Sequence, residues 1–186
     1  MKHSFSVNYN GVHIRQVQKG DLESLREWRN RQELSRYLRP IGEITPEMQK
    51  SWYEDYLTDD SIVMFAIEET EGLNRLVGSC GIYDFHGKES NCGKIIIGDP
   101  EAGGKGVGYR GELLSLHTGF QKFGFEYYIR EVNTENIKSL KMTSKLGFKK
   151  TGERSLEYGG SEYLYKMTRD EFYTAHPELI SVEVNE

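Results

Sequence analysis

Gly98-Asp99-Pro100-Glu101-Ala102-Gly103-Gly104-Lys105-Gly106-Val107-Gly108-Tyr109-Arg110-Gly111 decides how this chain folds. The stretch follows the β-branched run Lys94-Ile95-Ile96-Ile97. It leads into Tyr109, Leu113, Leu116, Phe120 and Phe123, whose four-three-four-three spacing makes one face of a helix. Six glycines fall within it. Glycine lets a backbone approach a ligand closely, and a loop opening a helix aims several unpaired N–H groups and the positive end of the helix dipole at its occupant. An anion, most often phosphate, suits that place. A surface loop capping a helix is the plainer reading of the same residues.

Two familiar phosphate loops do not fit. A Walker loop needs Ser or Thr after its Gly-Lys, and Lys105 is followed by Gly106. Gly106-Val107-Gly108-Tyr109-Arg110-Gly111 matches the dinucleotide fingerprint, but that fingerprint sits in a tight turn directly after its strand, and here residues 99–105 intervene.

Outward from the loop, alternation of period two predicts strands over residues 12–17, 62–67, 76–83, 94–98 and 127–132, with a hairpin of 148–154 and 162–167 around Gly159-Gly160. Leu22, Leu25 and Trp28 share a helix face ending near Asn30. Thr45-Pro46-Glu47 reads as cap, first-turn proline and carboxylate, with Met48, Trp52 and Tyr56 behind it. A short helix over 136–145 stops at Gly147. The order implies an α/β (α+β) fold, a mixed sheet with helices on its faces. Residues 1–175 read as one domain and 176–186 as a loosely ordered tail.

Charge and composition narrow the partners. With 24 Lys and Arg against 29 Asp and Glu, the net charge is −5, without the basic excess that binding nucleic acid requires. No window approaches the ~18 apolar residues that cross a bilayer, and Met1-Lys2-His3-Ser4-Phe5-Ser6 lacks a signal's apolar stretch, so no membrane partner and a cytoplasmic location are expected. Cys80 and Cys92 read as reduced, buried small hydrophobes, and neither has metal-ligand spacing, so no metal is expected.

The succession strand, Asp-Pro, Gly104-Lys105-Gly106-Val107-Gly108, amphipathic helix, a strand ending Val132-Asn133, Asn136-x-x-Ser139 and Lys145-Leu146-Gly147-Phe148 resembles the GCN5-related N-acetyltransferases over residues 12–167. The resemblance implies a mostly antiparallel sheet of about seven strands, splayed in the middle and flanked by about four helices. It implies acetyl-CoA as cosubstrate, its pyrophosphate held by Gly103, Gly104, Lys105, Gly106, Val107, Gly108 and Tyr109. The pantetheine arm would lie between the strand of Ile95 and Ile97 and that of residues 129–132, bonded also by Asn133, Asn136 and Ser139. Two positions depart from the family pattern. Gly103 stands where Arg or Gln is usual, which leaves backbone donors but no charged contact, and Thr143 replaces a frequent catalytic tyrosine.

Transfer of an acetyl group from a thioester to an amine needs a neutral nucleophile, an oxyanion donor and a route to protonate the thiolate. The Ile97 N–H is the expected oxyanion donor. Ser139 or Thr143 is the candidate proton donor, and Glu131 a candidate base, with Asp84, His86 and Glu89 behind it; each also reads as an ordinary solvated or helix-surface residue. His117 reads as structural, and Lys138, Lys141 and Lys145 as either a solvated face or contacts to the 3′-phosphate. Without a nucleophile-elbow cysteine, direct attack is expected rather than an acyl-enzyme.

Trp28-Arg29-Asn30 resembles a segment of acetyltransferases acting on nucleotide-linked amino sugars, which makes these residues and Tyr83 candidate acceptor contacts. The same Trp28 and Arg29 also read as core and surface ion pair. Spermidine and protein N-termini are alternative acceptors, and a non-catalytic CoA-binding module the alternative of another class. A small-molecule amine partner and a monomer or homodimer are expected.

Overall fold

The computed structural model describes residues 1–38, 41–157 and 159–186. Eight strands form one sheet: β1 (Val7–Tyr9), β2 (Val12–Gln16), β3 (Ile62–Glu69), β4 (Arg75–His86), β5 (Glu89–Ile97), β6 (Tyr127–Asn133), β7 (Lys149–Ser155) and β8 (Ser161–Thr168). Six α-helices accompany them among the described residues: α1 (Leu22–Asn30), α2 (Gln32–Ser35), α3 (Pro46–Thr58), α4 (Val107–Lys122), α5 (Ile137–Leu146) and α6 (Arg169–Ala175). The sheet order is β1-β2-β3-β4-β5-β6-β8-β7, and every neighbouring pair is antiparallel except β5 with β6. The class is the expected one. The strand count exceeds the expected seven by β1, which Asn10-Gly11, with φ of +50° and +75°, folds back onto β2. The helix count exceeds four by α2 and α6.

Each face of the sheet is covered for a reason visible in the alternation of its strands. Ile14, Phe65, Ile67 and Ile82 point to one side and pack on Leu113, Leu116 and Phe120 of α4. Close approach is possible because α4 carries glycine where it crosses the sheet. A Cβ at Gly111 would stand 2.6 Å from Ile67 Cδ1, and one at Gly119 would collide with the Tyr128 hydroxyl. Met64, Ala66 and Ile62 point to the other side, under Leu22 of α1 and Tyr56 of α3. Thr45 caps α3 as its sequence implies, its hydroxyl accepting the Met48 N–H at 3.2 Å. Cys80 and Cys92 are buried free thiols.

The expectation of a loose tail is overturned. Residues 177–181 form a 3₁₀ turn whose Leu179 is fully buried. His117 bonds the Tyr173 hydroxyl at 3.0 Å and the Val182 carbonyl at 2.9 Å, and Asn185 exchanges backbone hydrogen bonds with Ser6 at 2.9 and 3.0 Å. Apolar burial on α4 fixes the segment to the same core as residues 1–175.

Candidate active site

The sheet opens at β5 and β6. These strands pair only at Glu89 with Tyr127, Ser90 with Tyr128 and Asn91 with Ile129; beyond that their C-terminal halves diverge. The divergence begins where β5 carries a bulge. Its register against β4 slips between Ser79 and Gly81, opposite Gly93 at φ +137° and Lys94 at φ +49°. After the bulge, Ile97 stands opposite Gly78, and the Gly98 N–H donates to the Val77 carbonyl at 2.9 Å. Ile97 therefore occupies a non-hydrogen-bonded position relative to β4, with its N–H and C=O turned toward the slot.

The glycine loop closes one end of this slot. Asp99 accepts the Glu101 N–H at 2.9 Å and an Arg75 Nε–H at 2.7 Å, fixing the strand-to-loop corner. Arg31 donates to the Gly98 carbonyl at 2.9 Å. Gly104 and Gly106 both take left-handed backbone, φ +76° and +71°, and Gly106 is the N-cap of α4 with no side chain bonded across the cap. The first turn of this 16-residue helix holds no carboxylate. Its leading N–H groups, from Val107 to Tyr109, thus face outward without a capping side chain, an arrangement that fits a diphosphate. Ile95 and Ile97 border Gly108, whose Cβ would sit 3.4 and 3.1 Å from their side chains. Lys145 of α5 places its Nζ 4.1 Å over the Tyr109 ring. Arg110 is a residue that sequence alone did not single out: its Nε is buried without a partner among the described residues, and its Nη1 lies beside Gly106. Its place in the glycine motif was the available signal.

The other wall of the slot comes from β6 and α5. Asn136 caps α5, its Oδ1 accepting the Ser139 N–H at 3.1 Å, and Asn133 Oδ1 accepts the Glu135 N–H at 2.9 Å. Ser139 Oγ accepts from Arg130 Nη2 at 3.2 Å. Thr143 is not the helix-surface residue its sequence position also allowed: it is fully buried and its hydroxyl has no partner among the described residues. Glu131 points to the opposite sheet face from Arg130. There it pairs with Arg154 at 2.7 Å, which also holds Glu162 at 2.7 Å. Burial raises the Glu131 carboxyl above its ordinary pKa, against the pull of Arg154.

On the face away from α4 lies a cavity of about 400 Å³, walled by Leu25, Arg29, Ile44, Gln49, Trp52, Ser79, Lys94 and Ile96 among others. Its floor is formed by Ile62 and Met64 of β3, Ser79 of β4, and Lys94 and Ile96 of β5. Two cations border it, Arg29 and Lys94, both with pKa values lowered by burial, and no Asp or Glu lines it among the described residues. Lys94 Nζ stands 4.1 Å over the ring of Tyr83, whose hydroxyl burial pushes upward in pKa. A second opening shares Arg29, Leu38 and Ile41 with the first and adds Glu33 and Glu43.

The Trp-Arg-Asn segment divides among three places. Arg29 lines both openings. Asn30 exchanges hydrogen bonds at 2.9 Å with the Ile44 backbone and so shapes the cavity wall. Trp28 lies elsewhere: it is buried against Gly98, where a Cβ would overlap its indole, and it does not line either opening. Its indole packs against the start of the glycine loop.

The sequence pattern of the acetyltransferase (GNAT) domain matches residues 12–149. An N-acetyltransferase 9-like protein of Caenorhabditis briggsae is 30% identical over 118 residues, 59% of this chain, and the match spans 58% of that relative. Among solved structures, spermidine N-acetyltransferase from Vibrio cholerae in complex with CoA and spermine is similar at a TM-score of 0.79 and 18% identity, over 87% of this chain and 98% of that one. FdhC, a nucleotide-linked sugar GNAT, is similar at 0.79 and 21%, over 96% and 98%. The ribosomal-protein-S5-alanine acetyltransferase of Vibrio fischeri is similar at 0.73 and 19%, over 90% and 98%. At these identities the structural likeness is one of fold.

Proposed function

Because the chain belongs to the acetyltransferase (GNAT) domain family, whose cosubstrate is acetyl-CoA, we propose that it transfers an acetyl group by direct attack of a primary amine carried on a nucleotide-linked amino sugar. The observation that carries the choice of acceptor is the charge of the inner cavity: two cations, Arg29 and Lys94, and apolar walls with Trp52, lined by no carboxylate among the described residues. A phosphate-bearing sugar suits that lining, with Arg29 able to grip the phosphate through paired N–H groups. A polyamine would meet like charge there.

In this reading the loop from Gly103 to Tyr109 holds the coenzyme diphosphate through backbone amides. The arm lies between β5 and β6, and the Ile97 N–H receives the developing oxyanion. The sugar amine, flanked by electron-withdrawing oxygens, titrates nearer ~7.7–8.0 than the ~10.4 of lysine, so it attacks without a strong base. Glu131, engaged with Arg154, is therefore not required as one. The departing thiol, with a pKa of ~8.5, leaves readily near neutral pH.

The test is thiol release from acetyl-CoA with UDP- and dTDP-amino sugars, spermidine, and N-terminal peptides. Turnover highest on an amino sugar supports the proposal. Preference for spermidine would move acceptor recognition to the opening that contains Glu33 and Glu43. Preference for peptides would overturn the sugar assignment, and acetyl-CoA binding without release on any amine would make the chain a non-catalytic module.

A further inference from the structure

Arg130 is a charged residue in an interior. Its side chain is 3% exposed, and its Nη1 is bonded to Oε1 of Glu112, which is fully buried on α4. The guanidinium lies 5.8 Å from the centre of the Phe148 ring. It is also the first residue of β6 past the last pairing with β5, so it stands where the slot opens. Burying an ion pair is rarely worth its desolvation for stability alone. This pair is also incompletely satisfied, since Arg130 Nε and Glu112 Oε2 have no partner among the described residues.

Arg130 also faces the buried Cys92 thiol, and a further bond runs to α5. Nη2 reaches Ser139 Oγ at 3.2 Å, and a guanidinium has donors only, so the serine oxygen is the acceptor. The one hydroxyl proton of Ser139 is left to bond in another direction. Ser139 is also the third residue of α5, whose Asn136 cap takes its N–H and holds the residue in the helix's first turn, where the dipole favours negative charge nearby.

We propose that Arg130, anchored by Glu112, is a positioning residue: it fixes Ser139 as a hydrogen-bond donor to the sulfur that leaves during acetyl transfer. The inference rests on the acetyltransferase reading above. In the step concerned, the amine nitrogen bonds to the thioester carbon and the C–S bond breaks with its electron pair passing to sulfur. The surplus amine proton goes to solvent. Ser139 keeps its proton and hydrogen-bonds the thiolate as it forms.

The experiment measures kcat and KM for acetyl-CoA in S139A, R130K, the paired variant E112Q/R130M, and E112Q/R130M/S139A. The paired variant is used because removing Arg130 alone would strand the Glu112 charge in the core. S139A and E112Q/R130M should each lower kcat about tenfold, the worth of one charge-assisted hydrogen bond, with KM for acetyl-CoA little changed. The triple variant should lose no more than S139A, and R130K, still a donor, should recover most of the rate. Losses that multiply in the triple variant, or a raised KM with kcat intact, would show Arg130 acting on packing or coenzyme binding and would overturn the proposal. If E112Q/R130M fails to fold, S139A alone decides: wild-type kcat in S139A sinks the idea. A wild-type protein without thiol release overturns both this inference and the function it rests on, whereas normal wild-type turnover with multiplying losses overturns this one only.

Discussion

A carboxylate at position 108 would stand among the leading amides of α4, against Ile95 and Ile97. Gly108→Asp should weaken acetyl-CoA binding by tenfold or more, about 1.4 kcal/mol, because a carboxylate would occupy an anion site. Far-ultraviolet circular dichroism should stay unchanged, because a flexible side chain at the slot wall displaces little of the core. Titration calorimetry reads the affinity, and an unaltered value would remove the diphosphate assignment. On the acceptor side, Lys94→Ala should raise KM for a phosphate-bearing acceptor several-fold while leaving KM for acetyl-CoA in place. Gly104, Gly106 and Asn136 were legible because their tasks are local: a left-handed turn, an empty cap, a helix start. Lys94 was not, since its position depends on a bulge formed against β4. The Arg130–Glu112 pair was not legible either, because it exists only once α4 lies across β6.

Strands and helices were recoverable wherever one face alone is buried. In β3, where nearly every residue is buried, the signal is instead the unbroken apolar run of residues 62–67. The first half of β5, Glu89 to Gly93, was missed because its polar residues lack the β-branched signature of 94–97, and it is this half that pairs with β6. The α6 helix was missed although Thr168-Arg169-Asp170-Glu171 is a capping box, with Glu171 accepting the Thr168 N–H at 2.9 Å. The bond of Glu171 to Lys149 above all, and then its bonds to Thr168, lower its pKa from 4.5 to about 2. Its contribution is therefore fully present above pH 4.5 and is lost as the pH falls through about 2. In Glu171→Gln the melting temperature should decline less steeply than in wild type between those limits. Equal slopes for the two proteins in acid thermal melts would show that the Glu171 bonds to Lys149 and Thr168 do not stabilise the fold.

Across the molecule, the two chain ends meet. The N-terminal segment and residues 182–186 lie together beside α4, joined by Ser6 and Asn185 and clamped by His117. Leu179, buried to zero exposure, anchors the tail. Leu179→Ala should cost ~2–5 kcal/mol by the usual price of a buried cavity, and deletion of residues 176–186 should lower the denaturation midpoint further. Truncation without effect on the urea midpoint would make the tail an appendage after all. His3 adds a pH dependence of the same sign. Burial holds its imidazole at about 4 instead of 6.5, so stability is complete above 6.5 and declines as the pH drops through 4.

The three rungs between β5 and β6 have a mechanical consequence. Among the described residues they are the sole ladder joining a five-stranded plate to a three-stranded one, and past Asn91 and Ile129 the seam is open. A molecule that bonds Ile97 on one plate and α5 on the other acts as a splint. It supplies rungs that the polypeptide omits, so rigidity of the whole sheet becomes a property of the loaded protein, graded by how much coenzyme surrounds it.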